Sequence, residues 1–265
     1  MCMSILNNIS IASDLSGLNE HTCRAYINRA LEFLARYIDL DINSINVDVI
    51  ITNNLNNTVN RHLAAEVTLD ENINAVTLSR FQLNNCIGIN KEIIIMNGNN
   101  CAELDSDSLT SILVHELVHC IDFQRIESLN NRFRIFLYPA QAGADNLTLV
   151  MNEFFRGWIE MRAFYYDEMY LCSQGGVTLQ IDQGLPIHNE DRHITFFLTR
   201  LLGKRKCWME LNVHPDKIAE ATRYINQGNI DINCLRWCNF FERSFDYDSF
   251  YTLCEQLQRE IMGTE

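Results

Sequence analysis

Two histidines and a glutamate fall within five consecutive residues, the HELVH segment at 115–119. On a helix, side chains four positions apart project from the same face one turn apart, so His115 and His119 can reach the same metal ion. Glu116 is rotated by about 100° from His115, which places its carboxylate beside the metal and not on it. From there it can take a proton from a water molecule held by the metal. The spacing therefore predicts a Zn²⁺ site with Glu116 as the general base.

The sequence around this segment favours a helix. Apolar residues recur at spacings of three and four, with no glycine or proline between them: Leu109, Ile112, Leu113, Leu117 and Ile121. Asp105 or Ser106 is placed to cap the N-terminus. The alternative is a buried structural helix whose histidines are satisfied by carboxylates. We prefer the metal site, because burying two histidines and a glutamate without a use would be costly.

The third ligand is expected on a later helix, predicted over Asn146–Cys172. A catalytic zinc has three protein ligands, and no third histidine follows at the HExxHxxGxxH spacing, since Arg125 stands there. Glu153 and Glu160 are two turns apart on one face. We favour Glu160, because the small Ala163 one turn on allows a close approach to the metal helix; Glu153 remains the alternative.

Asp122, one turn after His119, is a candidate to orient a ligating imidazole as a supporting hydrogen-bond acceptor. A surface position for this aspartate is the competing interpretation.

The hydrophobic periodicity predicts an α+β fold, in which a helix at Ser16–Asp39 and about five strands precede the metal helix. The predicted strands are Ile45–Thr52, Ala65–Leu69, Ala75–Ser79, Cys86–Ile89 and Glu92–Met96, with the Asn-rich pieces 53–60 and 97–100 as turns or loops. The last part of the chain is predicted to be mostly helical, at Asn189–Leu202, Pro215–Asn226, Asn233–Arg243 and Ser249–Met262. We expect residues 1–172 to form a catalytic core, on which the helical residues 173–265 pack.

The composition of the chain argues against some classes of function. The 265 residues are 47% hydrophobic and 21% charged, as in globular proteins. The net charge of −13 argues against nucleic-acid binding. No apolar run approaches the ~20 residues of a membrane span, and no signal peptide is recognisable, so a cytoplasmic protein is expected. The ten cysteines contain no CxxC pair and are expected to be mostly buried free thiols.

At the level of motifs, HELVHCID together with Glu160-Met161-Arg162-Ala163 resembles the mitochondrial peptidase family that processes an ATP-synthase subunit. More broadly, the chain looks like a zincin metallopeptidase with a glutamate ligand, and clostridial neurotoxin light chains are a similar, loose match. The resemblance implies a small mixed or antiparallel sheet ahead of the metal helix. It also implies that His115, His119 and Glu160 bind zinc and that Glu116 is the base.

The function expected from these residues is hydrolysis of peptide bonds in a peptide or protein substrate. Alternatives of other classes are a catalytically inactive zincin-like adaptor and a zinc hydrolase that does not act on peptides. A protease delivered into a host cell is a further alternative, because only four of the 21 basic residues are lysines, which limits ubiquitination. The oligomeric state is not predicted.

Overall fold

A mixed four-stranded sheet forms the framework of the N-terminal part of the chain. The computed structural model describes residues 8–11, 20–39, 45–64, 66–80, 82–83, 91–126, 146–175, 191–226 and 232–262. The strands are β1 (Asn8–Ile11), β2 (Val47–Thr52), β3 (Ala75–Leu78) and β4 (Glu92–Asn97). Their order is β1-β2-β4-β3. Strands β1, β2 and β4 run parallel, and β3 is antiparallel to β4. The predicted α+β class is confirmed at this level.

The described residues group into two compact units, the first ending at Gln124 and the second running from Arg125 onward. Besides the sheet, the first unit contains helices α1 (Glu20–Leu34), α2 (Leu55–Leu63), the single turn α3 (Gly98–Cys101) and α4 (Ser106–Arg125). The second contains α5 (Asn146–Ser173), α6 (Asp191–Leu211), α7 (Pro215–Asn226), α8 (Ile232–Arg243) and α9 (Tyr247–Met262). Helix α5 groups with the helices after it, whereas the sequence analysis placed the domain boundary at residue 172.

The two faces of the sheet are covered by different helices. Ile93, Ile95 and Leu78 belong to an apolar cluster with residues of α2. Alternate positions in a strand point to opposite faces, so Thr77 and Glu92 face the other way. Both bond to α4: Thr77 bonds to Glu116, and Glu92 to Gln124. Because β4 is covered on both sides, its side chains from Glu92 to Met96 are buried.

Helix α4 begins where its sequence predicts. The Asp105 carboxylate accepts hydrogen bonds from the backbone amides of Asp107 and Ser108, at 3.0 and 2.7 Å. These bonds satisfy two of the amides that a helix N-terminus leaves without internal partners. The same bonds, that from Ser108 above all, hold the pKa of Asp105 below its ordinary value.

The prediction of a loop at 53–60 is wrong, because these residues begin helix α2. Leu55, Val59 and Leu63 form a buried stripe at helical spacing. Asn54 caps the helix by accepting from the amide of Asn57, and Ala64 ends it in the left-handed conformation. Asparagine is common in turns, but Asn54 serves here as a helix cap.

The predicted strand over residues 65–69 is also wrong for its described part. Residues 66–70 form no strand, because their amides bond to helix α2 and not to a neighbouring strand. The Val67 amide donates to the Asn60 side chain at 2.8 Å, and the Leu69 amide to Asn56 at 2.7 Å. The predicted loop at 97–100 contains α3 instead. The predicted strand Cys86–Ile89 lies outside the described residues.

A glycine sets the packing of α5 against α6. A Cβ atom on residue 203 would lie 2.3 Å from the Met161 carbonyl oxygen and 2.9 Å from the Tyr165 amide nitrogen. Both neighbours are backbone atoms that cannot move aside, so only glycine allows the two helices to approach this closely. Helix α6 extends to Leu211, further than predicted, whereas the predicted bounds of α7 are confirmed.

The seven cysteines whose side chains are described are free thiols, and all but Cys172 are buried, as expected. Within the described part of the chain, no helix is long and apolar enough to cross a membrane.

We predict that Gly203→Ala lowers the free energy of unfolding of the second unit by about 2–3 kcal/mol, through overpacking against α5. At a helix position with open space, the same substitution would raise the free energy of unfolding by up to about 1 kcal/mol. The direction of the change therefore shows whether α5 lies against residue 203. All three tryptophans follow residue 124, and urea unfolding monitored by tryptophan fluorescence therefore reports on this unit. The exposed substitution Gln256→Ala is the control, and unchanged stability of Gly203→Ala would contradict the described helix contact.

Candidate metal centre

The two histidines lie one turn apart on α4, as their spacing predicts. Their ring centroids are 4.8 Å apart and the rings are nearly perpendicular, at 87°. His119 is buried and His115 is half-buried. The ring of Phe123 stacks against His119 at 6.3 Å between centroids. The helix thus holds two imidazoles close together, in a partly desolvated setting.

Glu116 is buried between α4 and the sheet, with only 6% of its surface exposed. The hydroxyl group of Thr77 lies 2.6 Å from its Oε2 atom and 3.2 Å from its carbonyl oxygen. Thr77 is in the middle of β3, which is the last strand in the described sheet order. A neutral hydroxyl group from the sheet therefore holds one oxygen of this carboxylate.

A second buried carboxylate lies on the same face of the sheet. Glu92 is fully buried in β4 and forms an ion pair with Arg80 at 2.7 Å. The Gln124 side chain, near the end of α4, donates to the other Glu92 oxygen at 3.2 Å. Burial raises the pKa of Glu92, while Arg80 and Gln124 act to lower it. This network connects the C-terminal end of α4 to the interior strand β4.

Two thiols close to this region stay protonated at neutral pH. Burial, followed by the charges of Glu92 and Glu116, raises the pKa of Cys120. Burial also raises the pKa of Cys101, to about 12. A raised pKa favours the neutral thiol, so these residues add no charge beside Glu116.

Glu160 is the carboxylate that, with the two histidines, could hold a metal ion. One ligand atom from each of His115, His119 and Glu160 lies within 4.8 Å of the other two. Two imidazoles and one carboxylate are a donor set that suits zinc, leaving a further position for water or substrate. The donor chemistry of these residues therefore fits the expected ion. That Glu160 is a ligand remains a prediction, since such a group can form without a metal.

The helix that carries Glu160 is anchored two residues further on by Arg162. Its guanidinium group donates to the Phe245 carbonyl oxygen at 2.6 Å and to the Tyr247 hydroxyl at 3.1 Å. It also lies over the rings of Tyr247 and Trp158, at 4.5 and 4.8 Å from their centroids. Such cation–π contacts help to compensate a guanidinium that is almost completely buried. Arg162 therefore fixes this turn of α5 within the second unit.

The remaining sequence candidates have other positions. Asp122 is fully buried, so the surface interpretation of this residue is wrong; its supporting role stays a prediction. The Glu153 side chain lies outside the described part.

The sequence analysis missed Thr77, Arg80 and Glu92. One signal was present for Thr77, which is the single hydroxyl residue in the apolar strand AVTL. Glu92 is likewise an acidic residue at the start of the apolar run IIIM. A polar residue in a buried strand needs a partner, but the sequence does not say which residue supplies it.

We predict that Arg80→Met lowers the free energy of unfolding of the first unit by about 3–5 kcal/mol, because Glu92 loses its buried counter-ion. The double variant Arg80→Met/Glu92→Gln should recover most of this loss, since both charges are then removed. Hydrogen exchange of the β4 amides, followed by mass spectrometry, measures the change in this unit.

The stability of the Arg80→Met variant should depend on pH in a defined direction. Burial already raises the pKa of Glu92, and loss of Arg80 raises it further. A carboxyl group with a raised folded-state pKa costs stability as pH rises from its unfolded to its folded pKa. Acidification towards the ordinary glutamate pKa of 4.5 should therefore reduce the deficit of Arg80→Met relative to wild type. A deficit independent of pH would contradict the assignment to Glu92.

Comparison of the chain with protein-family models, with curated proteins and with solved structures finds no match. The interpretation of this centre therefore depends on its residues and their geometry.

Proposed function

We propose that the protein is a zinc-dependent metallopeptidase of the zincin type. The observation that carries the proposal is the geometry of α4, which sets two imidazoles 4.8 Å apart next to a buried glutamate held by Thr77. His115, His119 and Glu160 are the proposed ligands. A zinc ion bound there would supply Lewis acidity, activating a water molecule and polarising the carbonyl group of a substrate.

Glu116 is the proposed general base. Its carboxylate is adjacent to both histidines along the helix but belongs to a different face. It accepts the proton of the attacking water and then delivers that proton to the leaving amine. Burial suits both steps, because it limits competing hydrogen bonds from bulk water. A module that only binds a metal or a partner has no need of a carboxylate in this position.

A peptide substrate is favoured by the location of β3. Among the described strands β3 is at one end of the sheet order and pairs with β4 on one side. A strand in this position can add an extended peptide through backbone hydrogen bonds, which tolerate many side chains. Since Thr77 of β3 contacts Glu116, such a peptide would lie next to the proposed base. A mixed sheet ahead of the metal helix is also the arrangement expected for the zincin class.

We predict one zinc ion per chain in the wild type, as measured by elemental analysis, and markedly less in Glu160→Ala. Loss of one of three protein ligands weakens the affinity for the metal. Glu153→Ala is the matched control and should keep its zinc. Full occupancy in Glu160→Ala with loss in Glu153→Ala would transfer the ligand role to Glu153, and a wild type that cannot be loaded with zinc would refute the centre.

We predict that Glu116→Gln loses at least about 100-fold in turnover, because the amide cannot accept the proton, while its zinc content stays that of wild type. Digestion of a broad peptide library, read by mass spectrometry, measures turnover without requiring that the natural substrate be identified first. A chelator should abolish wild-type cleavage and added Zn²⁺ should restore it. Cleavage by Glu116→Gln at the wild-type rate would exclude this mechanism.

A further inference from the structure

We propose that Thr77 positions the general base, by holding one oxygen of Glu116 so that the other is presented to the reacting water. The inference rests on the proposed function and adds a residue outside the HExxH segment to it. It assigns a task to a hydroxyl group that the sequence motif does not contain.

The hydrogen bond has one direction. A carboxylate without a proton is only an acceptor, so the Thr77 hydroxyl donates to it. The hydroxyl group has a single hydrogen to donate. Its oxygen lies 2.6 Å from Oε2 of Glu116 and 3.2 Å from the Glu116 carbonyl oxygen. The shorter contact is that of a charge-assisted hydrogen bond. Because Thr77 engages Oε2, proton transfer is assigned to Oε1.

The donor is fixed more firmly than the acceptor. Thr77 lies in the β3–β4 ladder, where it stands opposite Ile94, and its β-branched side chain has restricted rotation. A glutamate side chain has three rotatable bonds and no such restriction. The bond therefore transfers the rigidity of the sheet to the carboxylate. A misplaced catalytic group typically costs about 10- to 100-fold in rate.

The strand itself does not require a hydroxyl at this position. Thr77 has Val76 and Leu78 as neighbours, and valine has almost the same shape and a high propensity for strands. A hydroxyl group that faces a helix in a half-buried interface is costly unless it is bonded. The bond to Glu116 contributes to offsetting this cost, together with a hydrogen-bonding contact between Thr77 and the Cys120 thiol.

The test compares Thr77→Val, which removes the hydroxyl and keeps the shape, with Thr77→Ser, which keeps the hydroxyl. Thr58→Val is the matched control, because Thr58 bonds to Thr52 and Asn54 in the same unit. With a peptide identified from the library, Thr77→Val should lower kcat about 10- to 100-fold, with KM and zinc content unchanged. Thr77→Ser should recover most of kcat, and Thr58→Val should equal wild type. An unchanged kcat in Thr77→Val, or no recovery by serine, would overturn the proposal.

A second measurement does not depend on activity. In the metal-free protein, Thr77→Val, Glu116→Ala and the double variant are compared by the hydrogen exchange of the α4 amides. If the two side chains interact, the fold-loss of protection in the double variant is smaller than the product of the two single losses. A purely multiplicative result would refute the contact.

The two measurements separate the possible failures. A wild type without zinc-dependent cleavage refutes the proposed function, whatever the exchange experiment shows. Cleavage that depends on zinc and on Glu116 but not on Thr77 refutes the positioning role alone.

Discussion

The burial of two carboxylates against one helix constrains the whole first unit. Glu116 and Glu92 both lie between α4 and the sheet, where an uncompensated charge would cost several kcal/mol. Each is compensated by groups from another element: Thr77 of β3 for the first, and Arg80 together with Gln124 for the second. These bonds hold α4 near its middle and at its end. The position of the two histidines follows from that attachment.

The second unit also buries charged side chains, and other groups compensate their charges. Arg162 and the ion pair of Glu168 with Lys204, 2.8 Å apart, are nearly inaccessible to solvent. Aromatic faces and the Phe245 carbonyl oxygen contact the arginine, and the Trp208 indole nitrogen donates to Glu168. Gly203 then brings α6 into backbone contact with α5. The helix that carries Glu160 is thus fixed at several positions that follow this residue, from Met161 to Glu168.

The sequence predicts those parts of the molecule that depend on local rules. Asp105 as a cap and the stripe of leucines define α4, and Pro215 marks the start of α7. The same rules failed for α2, where the five asparagines of residues 53–60 indicated a loop despite the apolar stripe of Leu55, Val59 and Leu63. Contacts between residues distant in sequence could not be predicted. Nothing near residue 77 indicates that its hydroxyl bonds to a residue 39 positions later. Such contacts depend on strand order and register, which single-sequence patterns do not determine.

The order of the strands also has a consequence for folding. Asn8 pairs with Asp48, and Val49 with Ile94, so every parallel pair in the sheet closes a long loop before it gains contact energy. Pairing of these strands is therefore expected to be the slow step in the folding of the first unit. Until the strands have paired, the apolar run of β4 is exposed, and this interval is the one in which we expect the nascent chain to depend most on chaperones.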